Sequence, residues 1–324
     1  MKRSTMIILS GFMIILISVL MNYQNITQST VNSDEQNYTY HFVFIGRDAN
    51  NPLWATIREG VEDAADSYKV AVEYYFSNEE TPDDEIDYLR MSVNARVDGI
   101  VINGYEEEAV REITSRAWEL DIPVVFINDE SHTGVRTSYI GVNNYEAGRR
   151  AIRELEKHRQ GELKIGILLD AQKNAQESIR FQSMIEEIRK NEFMEFAIEE
   201  SAKDARADVY NAVKSMLVDN PEINAIIGTR SYHGGVIGEV LVDLGIVGDI
   251  LVIGFDDLDD TMRYIDKDVI AATLDIDTYN MGYYSIRSLV KYKDNQFVDD
   301  VYYMPIKVID QSNIDDYRKE KRYE

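Results

Sequence analysis

The sequence predicts an α/β fold built from two doubly wound parallel-sheet lobes, and three observations lead to that prediction. Nine short apolar runs recur along residues 41–276, and most are dense in Val, Ile, Leu and Phe without alternation, as in parallel strands covered on both faces. Amphipathic stretches of helical period separate the runs, which is typical of repeated strand–helix–strand units. Nine strands exceed the usual size of one open sheet, so two sheets fit the count better.

The predicted strands, in chain order, are the runs HFVFIG, VAVEYYF, GIVING, PVVFIN, SYIGV, KIGILLD, NAIIGT, ILVIGFD and AATLDI. After the first strand, one helical stripe consists of Ile57, Val61, Ala64, Ala65 and Tyr68. After the sixth strand, another stripe consists of Ile179, Met184, Ile185 and Ile188. Because ligands of doubly wound sheets bind at the carboxyl ends of the strands, side chains that directly follow the runs are the candidates for a site.

The first residues of the chain predict export. Lys2 and Arg3 precede an uncharged apolar run over residues 6–21, a pattern typical of a signal peptide or of a signal anchor. No clear small-x-small cleavage site follows, which favours an uncleaved N-terminal hydrophobic helix over a cleaved signal. In both cases we expect the remainder of the chain to lie outside the cytoplasmic membrane.

The composition excludes several classes of function. The 324 residues are 44% hydrophobic, as in globular proteins, and the formal net charge of −24 argues against nucleic-acid binding, which needs a basic surface. The absence of cysteine removes disulfides, thiolate metal sites and cysteine nucleophiles. The four histidines show no metal-ligand spacing and no catalytic motif is present, so we expect no metal, no cofactor and no enzymatic activity.

Polar side chains follow five of the predicted strands. They are Arg47, Asp48, Asn50, Asn51 and Trp54 after the first strand, then Asn128, Asp129 and Glu130, then Asn143 and Asn144, then Arg230, Ser231, Tyr232 and His233, and finally Asp256 and Asp257. Carboxylates and amides bridge neighbouring hydroxyl groups, and an aromatic face packs on the C–H face of a sugar ring, so the set favours a polyhydroxylated ligand. Each residue has a structural alternative; Asn51, for example, precedes Pro52 and suits a helix N-cap, a role compatible with ligand binding.

Six motifs follow one another in an order and spacing that resembles the type I periplasmic sugar-binding proteins, the ribose- and galactose-binding family, whose fold is shared by the effector domain of lac-repressor-type regulators. The motifs are NNPLW, VDGIVING, ELDIPVVFIND, VNNYEAGR, VIGFDD and ATLDIDTYNMG, and the resemblance covers about residues 40–305. It implies two doubly wound parallel-sheet lobes joined by a three-strand hinge and preceded by an N-terminal hydrophobic helix. The expected segments are 1–22 as signal peptide or anchor, 23–39 as polar tether, 40–142 plus 277–303 as lobe 1, 143–276 plus 304–310 as lobe 2, and 311–324 as charged tail.

The resemblance also implies roles for individual residues. Those it matches to ligand contacts of the family are Asn51, Trp54, Asn128, Asp129 and Asp256, to which the strand-end positions add Arg47, Asn143 and Arg230 as predicted ligand-binding residues. Four positions depart from the family pattern or have an uncertain register, namely Leu53, Arg180, Arg230 and Ile276. The ligand is therefore not simply ribose or galactose.

Arg47 and Arg230 suggest a sharper hypothesis about the ligand. Both follow strand ends, one in each predicted lobe, and guanidinium groups bind carboxylates or phosphates at two points. An acidic sugar or a sugar phosphate would suit them. The alternative is that each arginine pairs with an acid of the protein itself.

The sequence thus predicts an extracytoplasmic solute-binding protein that closes its interlobe cleft on a carbohydrate or related polar ligand. The first partner hypothesis is an ABC-type sugar importer, supplied through its membrane permease. The alternative is a membrane-anchored sugar receptor that presents its ligand to a two-component sensor kinase. A DNA-binding regulator is excluded because the apolar segment occupies the place of a helix-turn-helix. We expect the soluble part to be monomeric.

Overall fold

The computed structural model describes residues 38–47, 51–77, 82–171, 175–202 and 205–321. The predicted hydrophobic helix, residues 1–22, lies outside the described residues, as do most of the predicted tether, Asp48, Asn50 and the last three residues. Within the described ranges, none of the helices is both long and apolar enough to cross a membrane.

The described chain contains twelve strands. They are β1 (His41–Arg47), β2 (Ala71–Ser77), β3 (Gly99–Asn103), β4 (Val124–Asn128), β5 (Ser138–Gly141), β6 (Leu163–Asp170), β7 (Met194–Ala202), β8 (Ala225–Gly228), β9 (Leu251–Phe255), β10 (Ala272–Ile276), β11 (Val301–Tyr303) and β12 (Ile306–Asp310). They form two six-stranded sheets, with the orders β11-β5-β4-β3-β1-β2 and β12-β10-β9-β8-β6-β7. All pairs are parallel except β10 with β12.

Helices connect most of the strands. Those in the described ranges are α1 (Pro52–Tyr68), α2 (Asp83–Ala95), α3 (Glu108–Glu119), α4 (Asn144–His158), α5 (Ala175–Ile188), α6 (Arg206–Asp219), α7 (His233–Leu244), α8 (Asp259–Asp266), α9 (Thr278–Lys293) and α10 (Ile314–Lys321). The apolar stripe predicted on the first helix is buried at Ile57, Val61, Ala64 and Ala65.

The chain passes between the two sheets three times. It leaves the first sheet after β5, returns after β10 through Asp277, and crosses again between β11 and β12 at Met304 and Pro305. This confirms the predicted fold class of two parallel-sheet lobes joined by a three-strand hinge. The residue-level boundaries of the lobes stay a prediction.

The burial of the strands explains which of them the sequence reveals. Strands β3, β5, β8 and β10 are buried along their whole length, so each reads as a mainly apolar run, although β10 also buries Thr273 and Asp275. Strand β7 is absent from the predicted strands. It lies at a sheet edge, and its exposure alternates along the strand, so polar residues interrupt its apolar pattern.

Helices α1 and α9 make an unusually close contact. A Cβ atom on Gly60 would lie 1.9 Å from the carbonyl oxygen of Tyr279, and one on Gly282 would lie 1.9 Å from that of Ile57. The two glycines therefore let the helix backbones touch. Because α9 follows the second crossing, this contact fixes the returning chain against α1, the helix that Asn51 caps.

Helix α10 lies within the segment predicted as a charged tail. Its Ile314 and Tyr317 are buried among charged neighbours, and the helix packs against α8 and β12. Two buried residues in eight are too sparse a pattern to predict an amphipathic helix from the sequence.

Candidate functional site: the cleft between the two sheets

A cavity of about 230 Å³ opens where the carboxyl ends of both sheets meet. Seven of the eight predicted site residues line it, namely Arg47, Asn51, Trp54, Asn128, Asp129, Arg230 and Asp256. The strand ends that supply them are distant in sequence, and the parallel arrangement of the strands brings them together.

The eighth predicted residue, Asn143, is adjacent to the cavity in sequence but does not line it. Its side-chain oxygen accepts a hydrogen bond from the backbone N–H of Glu146 at 3.0 Å, so it caps α4. The adjacent Asn144 is buried and lines the cavity instead. The motif VNNY holds two adjacent amides, and the sequence does not distinguish the capping one from the one in the cavity.

Asn51 and Trp54 shape the entrance to α1. Asn51 accepts a hydrogen bond from the N–H of Leu53 at 3.0 Å and is followed by proline, so the predicted helix cap is present beside the cavity. Trp54 is only 5% exposed, and its ring meets Phe44 edge to face at a centroid distance of 6.3 Å. The indole is therefore held in place by packing and lines the cavity, and little of its ring is exposed to solvent.

Arg47 is held within its own lobe. Its Nε donates to Glu85 Oε1 at 2.9 Å and its Nη2 donates to the hydroxyl of Tyr105 at 3.1 Å. Glu85 is 1% exposed, so the guanidinium compensates a carboxylate that burial would otherwise strongly disfavour. Glu85 lies on α2, too far along the sequence for the pairing to be predicted.

Arg230 is paired in a similar way in the second lobe. Its Nη2 donates to a carboxylate oxygen of the buried Asp170, at the end of β6. Both arginines of the acidic-ligand hypothesis thus have a carboxylate partner, as the alternative interpretation expected. Both also line the cavity.

Arg180, whose register was uncertain from the sequence, also reaches the cavity. Its Nε and Nη2 donate to Asn144 Oδ1 at 2.9 and 2.6 Å, its Nη1 donates to the carbonyl of Thr229 at 2.8 Å, and its guanidinium lies 4.5 Å from the ring centroid of Phe255. Burial lowers the pKa of this guanidinium from its ordinary value, with Asp256 acting in the opposite direction. A guanidinium remains charged in proteins, so Arg180 is a fixed donor at the floor of the cavity.

An amide–carboxylate cluster lies at the end of the first sheet. Asn128 Nδ2 donates to Asn103 Oδ1 at 3.0 Å, and Asn103 Nδ2 donates to Asp129 Oδ2 at 3.3 Å. Burial raises the pKa of Asp129, and the hydrogen bond from Asn103 opposes that shift. Asn103 was missed as a site residue because it ends the GIVING strand and looks like part of it, although the position after an apolar run was a usable signal.

Asp256 follows β9 in a left-handed conformation with φ of 60°. Its Oδ1 is buried and has no hydrogen-bond partner among the described residues. Burial raises the pKa of this carboxyl group to about 6, opposed mainly by Arg180. Such an oxygen can accept a hydrogen bond from a ligand without losing one from the protein.

A larger cavity, of about 750 Å³, lies at the amino ends of β6 and β9 and contains none of the predicted site residues. Beside it, Glu154, His158 and Asp310 bring ligand atoms within 4.8 Å of one another. Glu154 is already paired there with the ammonium of Lys157 at 2.6 Å. We therefore place the candidate site in the cleft, where the chemistry of both sheets converges.

A model of the periplasmic binding protein domain family matches residues 42–296. The chain belongs to this family. Its members are extracytoplasmic substrate-binding proteins and are in general not enzymes. No curated protein matches the sequence.

Solved structures of binding proteins are similar over most of this binding protein's length. GanP, a glucose-galactose binding protein from Geobacillus stearothermophilus, is 28% identical, with 85% of this chain and 98% of GanP covered and a TM-score of 0.78. A sugar-binding protein of a sugar ABC transporter from Bacillus halodurans is 23% identical, with 86% and 99% covered and a TM-score of 0.78. A solute-binding protein of an ABC transporter from Burkholderia graminis, in complex with D-arabinose, is 21% identical, with 86% and 97% covered and a TM-score of 0.80.

Proposed function

We propose that this protein binds a monosaccharide in the cleft between its lobes and supplies it to an ABC-type sugar importer. The observation that carries the proposal is that amides, carboxylates and guanidinium groups from the strand ends of both sheets line one cavity of about 230 Å³. The similarity to GanP, a glucose-galactose binding protein, supports a sugar as the ligand class.

The polar groups favour a neutral sugar over an acidic one. The guanidinium groups of Arg47 and Arg230 each have a carboxylate partner, so neither needs an anionic ligand. Asp129 and Asp256 instead bring acceptors that would meet sugar hydroxyl groups, while Arg180 supplies donors.

Binding in such a cleft implies movement of the lobes. The single strand-like crossings at the hinge allow rotation of one lobe against the other, and a ligand that contacts both lobes stabilises the closed state. Gln176 Nε2 already donates across the cleft to the carbonyl of Glu130 at 3.4 Å, so the side chains of the second lobe reach the first.

We propose that one lobe consists of residues 40–142 with 277–303 and the other of residues 143–276 with 304–310. We also propose that the protein has a non-catalytic role and that the N-terminal segment tethers it to the membrane.

Presentation of the ligand to a sensor kinase is the less favoured role. A XylFII–LytSN complex is similar in fold, with a TM-score of 0.77, but its 24% identity bears on the fold alone. The ABC-transporter binding proteins among the similar structures are 23% and 21% identical, so they too bear on the fold alone. The importer role is therefore our proposal, and it builds on the sugar-binding cleft.

A thermal-shift screen of the full chain in mild detergent tests the proposal. Neutral aldoses, uronates and sugar phosphates are compared, because a ligand that binds only the folded state raises the unfolding midpoint by mass action. We expect a rise with at least one neutral monosaccharide. A rise with acidic sugars alone would restore the acidic-ligand hypothesis, and no rise with any sugar would contradict the proposed ligand class.

A further inference from the structure

Helix α10 contacts residues that lie next to the proposed sugar site in sequence, after β9 and on β10. Tyr317 is 5% exposed, and its hydroxyl lies 2.8 Å from Asp257 Oδ2 and 2.9 Å from Asp275 Oδ2. Lys321, one turn later, pairs with the same Asp257 oxygen. Helix α10 thus contacts two acidic side chains of the second lobe, one after β9 and one on β10.

One hydroxyl hydrogen has to serve two carboxyl groups in this cluster. A tyrosine hydroxyl has one hydrogen to donate, and an ionised carboxylate has none. With both carboxylates ionised, that hydrogen is shared between them; with one carboxyl group protonated, the Tyr317 hydroxyl donates one full hydrogen bond and accepts the other. Asp275, 6% exposed, is the group that takes up this proton as the pH falls, because burial and the neighbouring charge of Asp257 raise its pKa to about 7.

The cluster is connected to the ligand-facing Asp256 through the backbone. Asp256 N–H donates to the carbonyl of Leu274 at 2.8 Å, and Thr273 Oγ1 donates to the carbonyl of Asp256 at 2.7 Å. Asp257 follows Asp256 directly, and Asp275 follows Leu274 directly. The Tyr317 hydroxyl, which contacts both Asp257 and Asp275, therefore links the loop after β9 to β10 at the same place as these backbone contacts.

We propose that Tyr317 is a positioning residue for sugar binding, which holds the Asp256 loop against β10 through a proton shared with Asp257 and Asp275. The inference rests on the proposed function of the cleft. It makes α10, outside the segment that the family model matches, part of the binding machinery.

Charged groups from several elements face the cluster. They are Asp256 and Asp257 after β9, Asp275 on β10, Asp277 at the second crossing, Lys307 on β12, Arg180 on α5, Arg230 after β8, and Lys321 on α10. Arg180, Arg230 and Lys321 favour ionised carboxylates, whereas the neighbouring aspartates oppose them. Loss of the Asp275 proton adds a negative charge beside Asp257 and removes one of the two hydrogen bonds, so sugar affinity should fall as the pH rises through about 7.

Sugar affinity of the full chain, measured by calorimetry at pH 6.5 and pH 8.5 with the best sugar from the thermal-shift screen, tests the proposal. We expect the unmodified chain to bind several-fold more tightly at pH 6.5. Tyr317→Phe should bind about tenfold more weakly at pH 6.5 and lose that pH dependence, because a hydrogen bond to a charged group is removed. Asp275→Asn keeps a donor for Tyr317 at all pH values, so it should lose the part of the pH dependence that comes from Asp275.

Asp256 titrates in every variant, so the comparison of Asp275→Asn with the unmodified chain isolates Asp275. Tyr210→Phe is the matched control, since its hydroxyl donates to Asp243 at 2.9 Å on the outer surface, and it should bind as the unmodified chain does. A folded Tyr317→Phe with unchanged affinity at both pH values would overturn the positioning role alone. Should Tyr317→Phe fail to fold, an Asp275→Asn variant with the pH dependence of the unmodified chain overturns it equally. A chain that binds no sugar at either pH overturns the proposed function and the positioning role together.

Discussion

Asp256 directly follows β9, with a left-handed backbone and one carboxyl oxygen that has no hydrogen-bond partner among the described residues. Non-glycine residues rarely adopt this conformation, and Asp and Asn are the side chains that tolerate it best. The conformation turns the carboxylate away from the direction of the strand. At this position the end of the strand places a buried acceptor beside the cavity.

Asp256→Asn should therefore weaken sugar binding by about tenfold to a hundredfold with little loss of stability, because it removes the charge from a hydrogen-bond acceptor but keeps the backbone preference. Calorimetric titration and thermal unfolding measure the two effects. Asp268→Asn is the control, since Asp268 has φ of 56° but lies outside the cleft. Sugar affinity unchanged in Asp256→Asn would remove Asp256 from the site.

Arg180 combines two kinds of contact that lysine cannot reproduce, a planar fork onto Asn144 and Thr229 and a stack on Phe255. Arg180→Lys should lower sugar affinity at least tenfold and also lower the unfolding midpoint. Arg159→Lys is the matched control, because Arg159 lies 4.4 Å from the ring centroid of Phe193, outside the cleft. Equal effects of the two substitutions would contradict a specific role for Arg180.

Position beside the cavity was predictable where a residue follows an apolar run. Asn51, Asp129 and Asp256 line the cavity as expected, because the end of a buried strand is visible in the sequence, and their roles in binding stay a prediction. The choice between Asn143 and Asn144, and the partners of Arg47 and Arg230, depend on the rotation of a helix and on contacts between distant segments. Neither is encoded in local periodicity.

At the scale of the elements, the α1–α9 pair depends on two glycines that allow backbone contact. Gly282→Ala should lower the free energy of unfolding by about 1–3 kcal/mol, since the added methyl group would overlap the Ile57 carbonyl and force the helices apart. Chemical denaturation measures the change. Gly161→Ala, where an added Cβ meets nothing within 4 Å, should be close to neutral. Similar losses in both variants would mean that helix contact is not the cause.

The sequence predicted the elements of the two sheet interiors better than those at the edges. Central strands are buried on both faces and so read as continuous apolar runs. Edge strand β7 and the short helix α10 bury only part of their surface, and their few apolar residues are diluted by charged ones. These elements owe their structure to the neighbours on which they pack.

At the scale of the whole molecule, Asp275 links stability to pH. Its pKa is raised to about 7 in the folded chain from an ordinary value near 3.9 in the unfolded one, so the folded state holds the proton more tightly. The stabilisation is complete below the unfolded pKa and is lost as the pH rises through about 7.

Between pH 6.5 and pH 8.5 this loss should amount to about 1 kcal/mol of unfolding free energy, with a lower midpoint at the higher pH. Differential scanning calorimetry without sugar measures it. Asp275→Asn should remove this part of the pH dependence. A midpoint that changes equally in the variant would assign the effect to other groups.

The three crossings between the sheets also have a consequence for biosynthesis. The first sheet is complete only when β11 has been made, and α1 finds its partner α9 only after most of the chain has left the ribosome. Contacts between such distant segments slow folding because a long loop must close first. A chain that crosses a membrane as an extended polypeptide would therefore still be unfolded when it is exported, because neither lobe folds quickly.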